Sequence, residues 1–204
     1  MDIMGILEKG GVLIYPLLVL GVWAVIIVVV KAVALRRSRT VDPGVIVRIE
    51  QLLLNRKLME ATSYCHEQPL PITRMLHAAI VNYEKPEAEL KAILEEAGRQ
   101  EIPRIRSHLS TLGTIASVAP LLGLLGTVLG MISVFATLSD GSNIDPSMLA
   151  GGISEALITP ALGMIIAMPT LACYNYFATR IQNLIIEMER VSLHMVSVLK
   201  RLAA

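Results

Sequence analysis

A single carboxylate, Glu155, directly precedes the uncharged stretch Ala156–Phe177. At helical spacing Glu155, Thr159, Leu162, Gly163 and Ile166 fall on one stripe, so a carboxylate and a hydroxyl stack along an otherwise apolar surface. Pro160 lacks an N–H and leaves the carbonyl of Ala156 without its helical donor, and Pro169 does the same to Ile165. Freed carbonyls at membrane depth are tolerated where they face protein or water. An ionisable group there costs a few kcal/mol on insertion scales, which makes it a functional-site hypothesis by default. The chemistry these groups could support is the passage of an ion along a polar lining. A blander alternative stands beside it, in which Glu155 sits at the headgroup boundary.

A second apolar run, Ile115–Leu138, carries no charge and holds Thr127 among Gly123, Gly126 and Gly130. Gly126-x-x-x-Gly130 permits close backbone approach by a neighbouring helix, and Gly163 offers a similar gap in the third run. Two readings of Thr127 remain open: a hydroxyl bonded to the carbonyl of Gly123, or one lining a passage with Glu155 and Thr159. No enzyme template is present. There is no His-Glu-x-x-His, no phosphate-cradling glycine loop before a strand and no nucleophile elbow. His66, His77, His108 and His194 lack ligand spacing, so no catalytic residue, metal or cofactor is expected.

Positioning these groups requires membrane-spanning helices. Of the 204 residues 54% are hydrophobic and 17% charged, and the apolar excess falls in blocks. Leu13–Val30, Ile115–Leu138 and Ala156–Phe177 reach or approach the roughly 20 residues that cross a hydrocarbon core of about 30 Å. Positive charge follows the first block, at Lys31, Arg36, Arg37 and Arg39, instead of leading it, which argues against a cleaved signal peptide. Lys and Arg crowd residues 31–107 and the C-terminal tail, whereas Ser139–Ser147 holds only Asp140 and Asp145. The positive-inside rule then predicts an external N-terminus and an internal C-terminus. The expected order is a short periplasmic segment (1–12), a first span (13–35), a cytoplasmic helical domain (36–108), a second span (109–138), a periplasmic loop (139–148), a third span (149–179) and a cytoplasmic helix (180–204).

Within the cytoplasmic part, helical patterns cover roughly 45–54, 57–66 and 72–81, after a turn at Asp42-Pro43-Gly44. Pro86 opens a further helix whose Glu87/Lys91 and Glu95/Arg99 pairs mark a solvated face. It is expected to run on, kinked at Pro103, as one helix from about 86 to 138. The third span is likewise expected to continue into 180–202, where Ile181, Leu184, Ile185, Met188, Val191, Met195 and Val198 recur at helical spacing. The fold class is therefore an all-α integral membrane protein, with three transmembrane helices and two of them extended into a cytoplasmic bundle. Cys65 and Cys173 form no disulfide framework and read as reduced thiols. A net charge of +1 points away from nucleic acid.

Ala119-Pro-Leu-Leu-Gly-Leu-Leu-Gly-Thr-Val-Leu-Gly-Met-Ile132, then Gly152-Ile-Ser-Glu-Ala-Leu157, Ala167-Met-Pro169 and Tyr174-Asn-Tyr-Phe177 closely resemble the MotA/TolQ/ExbB proton-channel family. The likeness is strongest to its ExbB and TolQ branch over about 109–180, and Gly10-Gly11 and Pro16-Leu17-Leu18 also fit. The resemblance implies a bacterial inner-membrane homopentamer surrounding two copies of an ExbD/TolR-like single-span partner with an essential aspartate. The proton motive force would drive it, with a TonB-like energy transducer or the Tol–Pal system downstream. Thr127 and Glu155 match the family's polar positions. Where a family threonine commonly follows Glu-Ala-Leu, this chain has Pro160, so Thr159 or the freed Ala156 carbonyl takes that role. Alternatives are a flagellar-type stator, which usually has four crossings, and a passive channel or scaffold.

Overall fold

The computed structural model describes residues 12–37, 42–139 and 146–203. Among them no strand occurs, and seven helices follow one another: α1 (Ile14–Arg37), α2 (Pro43–Leu54), α3 (Leu58–Glu67), α4 (Pro71–Val81), α5 (Glu87–Arg106), α6 (Leu109–Ser139) and α7 (Pro146–Ala203). Three stretches are long and apolar enough to cross a membrane: Ile14–Leu35 in α1, Leu109–Ala136 in α6 and Ala150–Leu202 in α7. The protein is thus all-α and carries three candidate spans. The expected N-terminal segment up to residue 11, Gly10-Gly11 and the loop residues 140–145 lie outside the described residues.

The chain divides into two compact units, residues 1–30 with 108–176, and residues 31–107 with 177–204. In the first, Leu17 of α1, Ala119 of α6 and Ala167 of α7 form a small shared core with Leu122 and Ile166 against it. Much of the remaining helix surface is apolar and exposed, including Val19, Trp23 and Ile26 on α1, Leu121 and Leu124 on α6, and Leu157, Ile165 and Met168 on α7. Contiguous apolar surface of this kind needs lipid or other protein to cover it.

The second unit is a helical bundle. Ile49, Leu53, Cys65, Ile72, Leu76, Leu94, Met195 and Leu199 bring α2 to α5 and the end of α7 into one core. Local chemistry sets the helix starts. Asp42 caps α2 by accepting from the Gly44 N–H at 2.9 Å, with Pro43 in the first turn, so the expected turn doubles as a helix N-cap. The Cys65 thiol is pushed up to about 11 by burial, which suits packing better than reactivity. Lys200 of α7 donates to the carbonyls of Tyr83 (3.3 Å) and Lys85, tying the α4–α5 connection to the C-terminal helix.

Glu101 of α5 is a buried charge of this unit. Its carboxylate, 7% exposed, takes Arg74 Nη2 at 2.5 Å and Arg104 Nη1 at 2.8 Å. The two arginines are more exposed, at 41% and 67%, so they can be rehydrated if the acid is removed, whereas Glu101 cannot. We therefore expect Arg74→Ala to destabilise the protein by about 2–3 kcal/mol, because it leaves a buried carboxylate with a weaker partner set. Glu101→Leu should cost clearly less. Chemical denaturation of the two variants checks the order, and an equal or reversed order would overturn this reading.

The expected continuous helix over 86–138 is corrected. Pro103 is accommodated inside α5, and the break comes a turn later, at Ser107 and His108. Ser107 is extended (φ −48°, ψ 144°) and His108 has a positive φ of 59°. Carbonyls at a helix C-terminus lack donors, and a cation there is favoured by the helix dipole. Lys31 of α1 supplies one: its Nζ donates to the Ile105 carbonyl at 3.0 Å and lies 3.4 Å from Ser107 Oγ, with the residue 5% exposed. A lysine 74 residues upstream thus satisfies the helix end where the chain turns. The other expected extension is present, since α7 runs unbroken from Pro146 to Ala203 through Pro160 and Pro169.

Candidate functional site

The site is built on the contact between α6 and α7 in the first unit, and glycines create it. A Cβ on Gly123 would lie 2.8 Å from Pro160 Cα and 2.9 Å from the Thr159 carbonyl oxygen. One on Gly130 would lie 2.9 Å from the Gly152 oxygen and 3.0 Å from Ala156 N. One on Gly163 would meet the Ala119 oxygen at 2.6 Å. Each gap is below ordinary van der Waals contact, so the two backbones approach as closely as glycine allows. The seam runs antiparallel, from Gly130 opposite Gly152 and Ala156, through Gly123 opposite Pro160, to Ala119 opposite Gly163.

Thr159 sits inside this seam. It is 0% exposed, and its side chain fills the place that a Cβ on Gly126 would occupy, with Thr159 Cβ only 2.5 Å from that point. Thr127, one residue on, is half-buried. Its hydroxyl donates to the Leu124 carbonyl at 2.6 Å, so the local bond reaches back three residues and not to Gly123. That bond leaves the hydroxyl oxygen with lone pairs to offer a second partner. Glu155 lies in α7 next to Ala156, whose backbone nitrogen faces Gly130. The side chain of Glu155 lies outside the described residues. The structure therefore brings Thr159, Pro160, Gly123, Gly126, Gly130 and Gly163 into one contact and sets Thr127 beside it.

Further hydroxyls, absent from the sequence reading, lie near the start of α6. Ser110, Thr114 and Ser117 line a cavity of about 510 Å³ with Gly113, Leu171 and Tyr174. Thr114 Oγ1 donates to the Ser110 carbonyl and Ser117 Oγ to the Gly113 carbonyl, both at 3.0 Å. Gly113 makes room for the ring of Tyr174, which would stand 3.0 Å from an added Cβ. The spacing of 110, 114 and 117 on one helix face was the available signal.

The pattern describing the MotA/TolQ/ExbB proton channel family matches residues 67–190. This chain belongs to that family. The match takes in α5, all of α6 and the glycine seam. An ExbB homolog of Methanothermobacter thermautotrophicus, described as a biopolymer transport protein, is 31% identical over 185 residues, covering 90% of this chain and 66% of that protein. An ExbB-like protein of Synechocystis is also 31% identical, covering 82% of this chain and 81% of its own length. The Tol-Pal system protein TolQ of Haemophilus influenzae is 38% identical over 104 residues, half of this chain and 46% of that one. The chain thus spans about two thirds of the Methanothermobacter protein and falls in the ExbB/TolQ branch of the family. With three apolar spans, a member of the MotA/TolQ/ExbB family is a multi-pass membrane protein.

Proposed function

We propose that this chain is the ring-forming subunit of an ion-driven motor of the ExbB/TolQ kind, not an enzyme. In this reading a homopentamer sits in the bacterial inner membrane, with the N-terminus periplasmic and the C-terminus cytoplasmic. It surrounds two copies of an ExbD/TolR-like single-span protein. Protons moving down their gradient would energise TonB-dependent outer-membrane transport or Tol–Pal envelope work. The observation that carries the proposal is the glycine seam itself. It makes α6 and α7 one closely packed wall, with the half-buried Thr127 hydroxyl beside the contact and Glu155 one turn before Thr159.

The physical logic is a division of labour. The apolar blocks Leu13–Val30, Ile115–Leu138 and Ala156–Phe177 contain no aspartate, so a proton relay needs the partner to bring the second titrating group. That carboxylate, neutral on one side and charged on the other, couples ion binding to movement. Thr127 and Glu155 offer it polar contacts, while Thr159 and Pro160 shape the wall from within the seam. The exposed apolar faces of α1, α6 and α7 supply both the contacts between copies and the lipid-facing surface.

Native mass spectrometry of the complex, gently extracted from its host membrane, tests the assembly. Five copies with two of a single-span protein are expected, whereas a monomer would count against the motor. Thr127→Ala tests the path. Its hydroxyl is half-buried and bonded only locally, so its loss should leave assembly intact and reduce proton-dependent energy transduction at least tenfold, the scale of one lost polar contact of about 1.4 kcal/mol. Wild-type activity in an assembled Thr127→Ala protein would remove Thr127 from the path.

A further inference from the structure

The second unit contains a cavity of about 570 Å³ between α5 and the 185–193 stretch of α7, with Met75 of α4 at its floor. That volume lies within the range of small-molecule sites. Leu94, Ile102, Ile185 and Met188 give it apolar walls. Gly98 keeps it open, since a Cβ there would stand 3.1 Å from Met75 Cε. In this wall Ser192 is 5% exposed, and its Oγ is buried with no hydrogen-bond partner. A buried hydroxyl that makes no bond is destabilising, and its persistence calls for a partner that arrives from outside.

The charges at the rim indicate the sign of that partner. Lys91 is held by Glu87 at 2.6 Å and Arg99 by Glu95 at 2.7 Å. The Lys91 ammonium draws the Glu87 carboxyl below its ordinary range, and Glu95 raises the Arg99 guanidinium, so both cations are engaged. Glu189 also lines the cavity, one helical turn before Ser192, and no ion pair engages it among the described residues. What is left over is one carboxylate at the mouth and one hydroxyl in the wall, on the same side of α7.

We propose that this cavity binds a small amphipathic amine, with its ammonium at Glu189 and Ser192 and its apolar body between α5 and α7. An ammonium has three donors and no acceptor, so one group can satisfy both the carboxylate and the orphaned hydroxyl. Met75 and Met188 are the flexible wall elements that can shift to uncover Ser192 Oγ. The site is separate from the glycine seam and does not depend on the ion-path reading.

The test is isothermal titration calorimetry of the full-length protein in lipid nanodiscs, with empty nanodiscs as the partition control. The probes are octylamine, phenethylamine and tryptamine, with tryptophol and indole-3-propionate as neutral and anionic counterparts of the last. Saturable binding of at least one amine is expected, at least tenfold tighter than the neutral or anionic probe. Glu189→Gln and Ser192→Ala should each weaken it at least tenfold. Ser192→Ala should at the same time leave the melting temperature of the unliganded protein equal or higher, because it removes an unsatisfied group. Three results would overturn the proposal: no saturable binding of any amine beyond the empty-nanodisc control, binding unchanged in both variants, or preference for the anion.

Discussion

Gly126→Leu is expected to prevent stable packing of α6 on α7 and to abolish recovery of assembled protein. Even the first added carbon would lie 2.5 Å from Thr159 Cβ, and a leucine adds three more. Thr159 is 0% exposed and cannot swing away. Overpacking of a tight contact typically costs about 1–3 kcal/mol and more where the backbone must move, as here. In a membrane no general hydrophobic force compensates, because lipid is as apolar as the side chain, and close packing is itself the main attraction between helices. Gly126→Ala alone should lose part of the assembly. Combining it with Thr159→Gly should restore it, since the small residue has only changed sides. Size-exclusion profiles and melting temperatures of the three variants in detergent decide the matter. Wild-type assembly in Gly126→Leu would show that the seam does not hold the helices together, and failure of the double variant would show that Gly126 has a further role.

Lys31→Glu should be the most damaging change in the second unit. The ammonium meets the Ile105 carbonyl oxygen at 3.0 Å, at a helix end whose dipole is negative. A carboxylate in the same 5% exposed position would face the Ile105 carbonyl oxygen, with the Ser107 hydroxyl as the neighbouring side-chain donor in place of an ammonium. Placing an uncompensated charge in such a site costs about 3–5 kcal/mol. Lys31→Met retains the packing of the stem and loses only the donor, so it should cost about 1 kcal/mol. Hydrogen exchange at residues 103–108 together with thermal unfolding separates the two effects. Faster exchange confined to this stretch is expected in Lys31→Met, and global destabilisation in Lys31→Glu. Equal stability of Lys31→Glu and the unaltered protein would show that the lysine caps nothing of consequence.

Some of this is visible in one dimension. Three spans can be read from apolar length, because crossing a bilayer requires a certain number of residues and every one of them leaves its mark on composition. The glycine spacing at 123, 126 and 130 announces close approach for a similar reason: a helix turns at a fixed rate, so small residues three and four apart form a groove wherever the helix is placed. The short helices of the second unit follow from periodicity and from Asp42-Pro43 and Leu70-Pro71, whose backbone preferences are local. Even the unbroken course of α7 through Pro160 and Pro169 was legible, since no polar run interrupts the apolar pattern.

Contacts between distant residues were not legible. Pro103 looks like the place for a kink, yet the chain breaks at Ser107 and His108, because Lys31 of another helix is there to satisfy the Ile105 carbonyl. Thr159 is legible as a polar group on the Glu155 stripe, whereas its packing against Gly126 depends on α6 lying beside α7. Ser192 is an unremarkable serine in an amphipathic helix until α4 and α5 close around it. By itself the sequence determined which segments are helices, which of them can span a membrane and which family they belong to, since propensity, apolar length and motif spacing are properties of neighbouring residues. Only the tertiary structure decided which helix ends are capped, which hydroxyls are hidden and which are left without a partner, because burial and hydrogen bonding depend on atoms that the fold brings from tens of residues away.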